Sequence, residues 1–204
     1  MKVILILSAA LWLIVVGSGL HYVYSYENKP TLGKQSPPQT FPVESGISLD
    51  SRQPALLFFA HPQCPCTRAG INELARLMAV IQGRVSTRVI FFKPADAERN
   101  WAETDTWKSA AAIPGVQVSV DEDGREALRF NAETSGTTLL YDANGRLRFH
   151  GGITASRGHE GDNAGRSAIT EIVTRDLGIT VETSAFGCSL FDDKTLQKVI
   201  EGTN

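Results

Sequence analysis

The chain of 204 residues has no run of basic residues and no interleaving of aromatic with basic side chains, and its net charge is -2. Nucleic-acid binding is therefore not expected, because phosphate contacts need a concentrated positive surface. Methionine is scarce, with only Met1 and Met78, so the thioether clusters typical of many copper-binding proteins are missing. No G-K-[ST] follows the glycine-rich stretch at residues 151–165, which excludes a phosphate-binding P-loop there.

An uncharged apolar run of 18 residues extends from Val3 to Leu20, which is just long enough to span a bilayer core. Lys2 before it and the tyrosine-rich stretch 21–26 after it predict a cytoplasmic N-terminus. We predict one uncleaved transmembrane helix within residues 1–26 and a single-pass protein whose C-terminal domain is extracytoplasmic, in the periplasm. A cleaved signal peptide, suggested by the short run and by Gly17-Ser18-Gly19, is the alternative.

Residues 27–53 contain four prolines among Gly, Ser, Lys and Gln. This composition cannot bury a core and predicts a spacer between membrane and domain. About 150 residues follow, the usual size of one domain. We expect that domain at residues 54–178 and a C-terminal extension at residues 179–204.

Apolar runs and helical periodicities predict alternating strands and helices in the soluble part. In chain order they are strand 55–60, helix 67–82, strand 84–93, helix 95–112, strand 115–120, short helix 124–131, strand 137–142, strand 146–150 and helix 163–177. Asn144-Gly145 between the last two strands favours a tight hairpin turn. We therefore expect parallel strands in the first half and antiparallel strands in the second.

Two of the three cysteines, Cys64 and Cys66, flank Pro65 where the first strand meets the first helix. At a helix N-terminus the unpaired N–H groups and the helix dipole stabilise an anion, so a thiolate there should have a lowered pKa. His61 and Arg68 are close enough in sequence to add to this effect. The pattern favours thiol chemistry over two merely buried cysteines, and we expect both Cys64 and Cys66 to be required for it.

The third cysteine, Cys188, lies in a small apolar segment beyond the last helix. All three cysteines fall on the outer side of the membrane, where disulfides persist. Cys64 pairs with Cys66 and leaves Cys188 free, or Cys188 bonds one of them, and the sequence does not choose. A buried inert thiol and a resolving cysteine are both open interpretations of Cys188.

A strand, a cysteine pair around a proline at a helix start, a βαβ unit and the hairpin stretch 135–145 together resemble the thioredoxin-like superfamily. The resemblance covers roughly residues 54–152 and is closest to membrane-anchored bacterial thiol proteins of the RedB type. It implies a three-layer α/β/α sandwich with a mixed sheet, preceded here by the transmembrane helix. It also implies thiol–disulfide exchange without a cofactor.

Two positions depart from the superfamily pattern. Thioredoxins carry C-x-x-C, and here Gln63 stands at the first cysteine position and Cys66 at the second, so that Cys64 is a candidate for the nucleophile's role. Gly136 replaces the cis-proline that the resemblance places beside the cysteines. The resemblance implies that, in the superfamily, that proline holds the backbone ready to pair with an extended substrate and shields the thiols from metal ions. Its absence here slightly favours the alternative of a metal-binding function.

The glycine-rich loop 151–165 groups His159, Glu160 and Asp162. It is either a loop capped onto the last helix by Asp162 or Asn163, or a cover over the cysteines in which His159 donates a proton or binds metal.

The sequence thus favours a membrane-tethered, extracytoplasmic thiol–disulfide oxidoreductase that acts through Cys64, Cys66 and Cys188 on protein thiols or disulfides near the membrane. The alternative is a thiolate module for copper or zinc, formed by the three cysteines with one of His61, His150 or His159.

Overall fold

The computed structural model describes residues 2–30, 36–48, 50 and 52–191. Parts of the predicted linker (31–35, 49 and 51) and of the C-terminal extension (192–204) lie outside the described residues. The elements in chain order are α1 Lys2–Glu27, β1 Ala55–Ala60, α2 Pro65–Ile81, β2 Ser86–Lys93, α3 Asp105–Ala111, β3 Val116–Glu122, α4 Arg125–Arg129, β4 Thr138–Tyr141, β5 Leu147–Gly151, α5 Ala164–Arg175 and β6 Val181–Glu182.

The strands form one mixed sheet with the order β3-β2-β1-β4-β5-β6. β1, β2 and β3 are parallel, whereas β4 is antiparallel to β1 and β5 is antiparallel to β4. The predicted change from parallel to antiparallel pairing is thus confirmed. The two-residue strand β6, which pairs parallel with β5, is not in the sequence prediction.

β1 lies in the middle of the sheet and is buried on both faces, as its unbroken apolar sequence predicts. Leu56 and Phe58 pack into one core with side chains of α2, α3 and α5, while Leu57 and Phe59 pack into a second core with α4 and its neighbours. The α/β/α sandwich with a mixed sheet, implied by the thioredoxin-like resemblance, is confirmed. The sheet also determines where the cysteines lie, because the turn between β1 and α2 is at the carboxyl ends of the parallel strands.

The predicted helix 95–112 is wrong in its first half, because the helix observed there spans only Asp105–Ala111. Residues 95–104 form turns instead. Asp96, Asn100 and Thr104 explain the difference, because such short polar side chains favour turns and caps over helix interiors. Thr104 is the N-cap residue immediately before α3, and its backbone is extended.

Within the described residues, α1 is the one helix long and apolar enough to cross a membrane, and its position near the N-terminus also fits a signal sequence. None of its residues is buried, and its large apolar side chains are exposed along its length. This finding agrees with the predicted transmembrane segment at the level of length and composition.

Part of the predicted spacer packs against the domain. The Phe41 ring lies 5.2 Å from the rings of both Phe130 and Tyr141, and Ile47 is buried in the second core. The Phe41 N–H donates to the Gly145 carbonyl at 2.7 Å. Composition alone predicts a detached linker here, but apolar contacts and hydrogen bonds together hold this stretch on the domain.

Candidate active site

Cys64 is the N-cap residue of α2, with φ -79° and ψ 123°, and Pro65 is the first residue of the helix. Proline is well suited to that position, because it lacks an N–H where none is needed and its φ is already helical. The cysteines therefore lie at a helix N-terminus, as the sequence predicts.

Three hydrogen bonds fix the turn from β1 into α2. The His61 N–H donates to Ser135 Oγ at 2.9 Å, and Thr67 Oγ1 donates to the His61 carbonyl at 2.9 Å. The hydroxyls of Thr67 and Ser135 are themselves 2.9 Å apart in a buried contact. The cysteine turn is thus bound to the loop before β4.

The structure brings Cys188 to Cys64. Their Sγ atoms are 2.7 Å apart, although 124 residues separate them in the chain. Both are free thiols, and Cys64 is 4% exposed. The residue that the sequence could assign either to an inert core or to the site therefore lies at the site.

The pKa of Cys64 is lowered to about 5. The largest cause is the hydrogen bond from Cys188, whose thiol stabilises the Cys64 thiolate, and burial opposes it. The same hydrogen bond raises the pKa of Cys188, and burial raises it further. At neutral pH the pair is therefore a Cys64 thiolate beside a Cys188 thiol, which is the state in which a nucleophile is active.

Cys66, the second residue of α2, differs from the N-cap residue Cys64 in the direction of its pKa shift. Burial, and then the nearby charge of Cys64, raise its pKa, while Arg157 and the Gly158 N–H oppose the change. A thiol of raised pKa is a poor attacking group at neutral pH. The geometry and charges thus distinguish two cysteines that the sequence treats alike.

The backbone at Gly136 is incompatible with the proline that the superfamily has at this position. Its φ is +95°, a backbone conformation that proline cannot adopt and other side chains rarely adopt. Its N–H donates to the Phe59 carbonyl at 2.7 Å, and proline has no such group. No peptide bond between described residues is cis.

The glycine-rich loop is capped onto α5, and part of it also adjoins the thiols. Asn163 caps α5 by accepting a hydrogen bond from the Arg166 N–H at 2.8 Å. The other part of the loop faces the thiols, since Arg157 and Gly158 act on Cys66 and Arg157 donates to the Gly187 carbonyl. The Arg157 guanidinium also lies 5.1 Å from the ring centre of Tyr26, at the end of α1.

The remaining candidate side chains contact other groups. Arg68 pairs with Asp105 on the surface. The His61 ring packs against Phe92, and burial lowers its pKa, so His61 is neutral at pH 7 and does not supply the positive charge considered for it.

The two further histidines also have partners outside the thiol cluster. His150 Nε2 lies 3.5 Å from Glu182, and His159 Nδ1 lies 2.9 Å from the Arg157 carbonyl. Among residues 2–30, 36–48, 50 and 52–191, no group of three or more His, Cys, Asp or Glu side chains is arranged to hold a metal ion. The alternative metal-binding function therefore gains no ligand set from this geometry.

Two residues that support the site are not in the sequence prediction. Ser135 joins the cysteine turn to the loop before β4, and nothing local in the sequence marks it. Glu73 is fully buried in α2, where it ion-pairs with Arg166 at 3.0 Å and accepts from the Gly161 N–H at 2.7 Å. Its position was detectable, because Gly70, Glu73 and Leu77 follow helical spacing and place a carboxylate on the apolar face.

No protein-family model matches the chain, and no curated protein matches it. Solved structures do. An uncharacterized conserved protein from Geobacillus kaustophilus is 19% identical, with a TM-score of 0.59 over 82% of this chain and 95% of that one. A hypothetical protein from Sinorhizobium meliloti 1021 is also 19% identical, with a TM-score of 0.58 over 80% of this chain and 96% of that one.

A secreted disulfide oxidoreductase from Mycobacterium tuberculosis is 19% identical over 62% of this chain and 84% of that one, with a TM-score of 0.43. The first two structures establish a shared fold, and their descriptions name no activity. The fold of this chain is thioredoxin-like, and the chemistry has to be argued from its own cysteines.

Proposed function

We propose that this protein is a membrane-tethered, extracytoplasmic thiol–disulfide oxidoreductase in which Cys64 is the nucleophile and Cys188 its main partner. The observation that carries the proposal is the contact of 2.7 Å between the two sulfurs at the N-terminus of α2. A thiolate held at a helix start, with a second thiol within bonding reach, is the minimum apparatus for disulfide exchange.

The exchange has two steps. The Cys64 thiolate attacks one sulfur of a substrate disulfide, forming a mixed disulfide and releasing the other substrate sulfur as a thiolate, which takes up a proton. Cys188 then loses its proton and attacks the Cys64 sulfur, which forms the Cys64–Cys188 disulfide and releases the second substrate thiolate. Two electrons pass from the cysteine pair to the substrate, and the reverse sequence oxidises a substrate dithiol.

Cys66 has a different place in this scheme. It lies in contact with the same cluster but carries a raised pKa, which makes it a much slower attacking thiol than Cys188 is in its place beside Cys64. The Cys-Pro-Cys pair and the RedB-type assignment belong to this proposal. The requirement for both Cys64 and Cys66 stays a prediction from the sequence, and activity of the Cys66→Ser variant tests it against the minor role that the raised pKa gives Cys66.

The length and composition of α1, and its contacts with the loop near the thiols, support the tether. We propose that residues 1–26 stay attached as an anchor, that residues 27–53 connect it to a domain at 54–178, and that residues 179–204 form the extension carrying Cys188. The Arg157 N–H donates to the Glu27 carbonyl at 3.0 Å, so the end of α1 adjoins the loop that contacts the thiols. Protein thiols or disulfides at or near the membrane are then the favoured substrates, because tethering raises their effective concentration.

The test uses the purified full chain in detergent. Mild oxidation followed by alkylation and peptide mass spectrometry should show Cys64 linked to Cys188 and Cys66 alkylated. The reduced chain should then reduce disulfide-bonded insulin, and Cys64→Ser should lower the rate to background. A chain that leaves insulin unchanged, or a Cys64→Ser variant with full activity, contradicts the proposal. Retention of the chain in membranes after alkaline carbonate extraction tests the tether separately.

A further inference from the structure

Arg157, in the loop after β5, connects two parts of the molecule that are distant in sequence. Its guanidinium donates through Nη1 to the carbonyl of Gly187, the residue before Cys188. The same guanidinium lies 5.1 Å from the ring centre of Tyr26, and the Arg157 backbone N–H donates to the Glu27 carbonyl at 3.0 Å. One residue therefore contacts both the end of α1 and the segment that carries the second thiol.

The C-terminal segment, defined here as residues 183–191, is tightly packed at Gly187. A Cβ on Gly187 would overlap the Ser135 carbonyl oxygen, and the Ser135 N–H donates to the Cys188 carbonyl at 2.8 Å. The bond from Arg157 adds a charged donor to this short stretch, and a charged donor forms a stronger hydrogen bond than a neutral one. Arg157 therefore helps to fix the backbone from which the Cys188 side chain extends.

The charge of Arg157 bears on the second step of the proposed exchange. Cys188 must lose its proton in that step, but its pKa is raised, first by the hydrogen bond to Cys64 and then by burial. The hydrogen bond to the thiolate is lost once Cys64 is bonded to a substrate sulfur, whereas burial remains. Arg157 acts in the opposite direction and lowers the pKa of Cys188, because a nearby cation favours the thiolate.

The same charge does not act alike on the two thiols of the pair. The pKa of Cys64 depends on burial and on hydrogen bonds that involve Cys188, Cys66 and Thr67. The charge of Arg157 acts on Cys66 and Cys188. Loss of this charge should therefore slow the second step of the exchange and spare the first, in which Cys64 attacks.

We propose that Arg157 is a positioning residue for the step in which Cys188 attacks the Cys64 sulfur, and that the end of α1 holds Arg157 in place for it. The inference rests on the proposed function. In that step the Cys188 proton passes to solvent, the Cys64–Cys188 bond forms and the substrate sulfur leaves as a thiolate. Arg157 orients the backbone before Cys188 and stabilises the thiolate as it forms, while the aromatic face of Tyr26 fixes the guanidinium. The anchor is then part of the site.

The test uses the full chain with Cys66→Ser in detergent, which leaves Cys64 and Cys188 of the original three thiols. The probe is one equivalent of dithiodipyridine, an aromatic disulfide without charge, which Arg157 does not attract electrostatically. Attack by Cys64 releases one thiopyridone, and attack by Cys188 on the resulting mixed disulfide releases a second. Stopped-flow absorbance of the thiopyridone therefore gives the two steps as separate phases.

Arg157→Met keeps a long side chain without its charge and should slow the second phase about tenfold, because the charge and the bond to Gly187 are both lost. The first phase should stay within about twofold, since Cys64, with a pKa of about 5, remains a thiolate at neutral pH. Arg157→Lys keeps the charge and should bring the second phase back to within about threefold of the unmodified rate. Arg175→Met is the matched control, at a side chain 68% exposed in the last turn of α5, and should change neither phase.

Tyr26→Leu tests the contribution of α1 without altering the domain. It removes the aromatic face beside the guanidinium and keeps an apolar side chain at the end of α1. The second phase should slow about threefold, the effect of losing one cation–π contact at a partly exposed site. Tyr22→Leu is the control, at a side chain 74% exposed, and should leave both phases unchanged.

An unchanged second phase in Arg157→Met, or equal slowing of both phases, would overturn the positioning role, because a general loss of structure affects both steps. A Lys variant as slow as the Met variant would overturn the role of the charge. If Tyr26→Leu behaves like Tyr22→Leu, the role of α1 is wrong, and this comparison does not depend on any domain variant folding. In each of these cases the unmodified chain still releases both thiopyridones, and only this inference fails. If the unmodified chain releases none, or only the first, the proposed function fails with it.

Discussion

Residues 61–68, with Cys64 and Cys66, and the C-terminal segment of residues 183–191, with Cys188, meet at the same site. Different parts of the sequence determine their positions. The first stretch is specified locally, by an apolar strand, a proline at the first helical position and a helix of regular spacing. The second is specified by partners far away in the chain, through backbone pairing with residues 133–135 and a glycine that allows close approach. A local pattern can reveal a reactive cysteine, whereas its partner is found only through tertiary structure.

Loss of Cys188 should have the largest effect on activity and is the strongest test of the difference between the two cysteine segments. Cys188→Ser should reduce multiple-turnover reduction of insulin to near background and accumulate a Cys64–substrate mixed disulfide, because the closest resolving thiol is missing. Cys66→Ser should stay within about threefold of the unmodified chain, since its raised pKa makes it the weaker nucleophile. Turnover rates and mass spectrometry of the trapped adduct measure both effects. The opposite ranking would return the partner's role to the local Cys64–Cys66 pair.

Features that depend on neighbouring residues in the sequence could be predicted, whereas features that depend on distant residues could not. The bounds of β1 and the hairpin around Asn144-Gly145 follow from short patterns, and the structure has them. The sequence names Cys188 as a candidate site residue but does not show how it reaches Cys64, because Gly187 and Leu190 are informative only once residues 133–135 lie beside them. Gly136 departs from the superfamily pattern at the level of sequence, yet the physical reason, a positive φ and an N–H that donates to the Phe59 carbonyl, is visible only in the backbone structure.

The loop between the two cysteine segments depends on a buried carboxylate. Glu73→Gln should lower the free energy of unfolding by about 3 kcal/mol, because Arg166 and the Gly161 N–H lose a charged partner in a site closed to water. Glu171→Gln on α5 is the matched control, since that side chain is 56% exposed, and it should change the free energy by less than about 0.5 kcal/mol. Urea unfolding of both variants measures these two changes in the free energy of unfolding. Equal effects would mean that the loop is held by its own turns rather than by Glu73.

The segment before the domain is a second case of tertiary specification. Phe41→Ala should cost about 2 kcal/mol of unfolding free energy, less than a fully buried phenylalanine, because Phe41 is half-buried against Phe130 and Tyr141. Val43→Ala, at a fully exposed side chain, should have no measurable effect. Thermal or urea unfolding measures both. If Phe41→Ala is as silent as Val43→Ala, the stretch is the detached spacer that composition predicts.

The pH dependence of Cys64 separates the contribution of the local turn from that of the C-terminal segment. In the Cys66→Ser chain, alkylation of Cys64 by iodoacetamide should be constant above pH 6 and fall about tenfold by pH 4, since its pKa is about 5 and only the thiolate reacts. Because this pKa is lowered in the folded chain, the associated stability is present above the ordinary thiol pKa and is lost as the pH falls toward 5. Cys188→Ala removes the hydrogen bond that is the largest cause of the lowering, so the midpoint should move upward, toward that of an ordinary cysteine. A midpoint that stays near 5 would show that the helix N-terminus alone sets the pKa, and the reactive thiolate would then be a property of the local sequence.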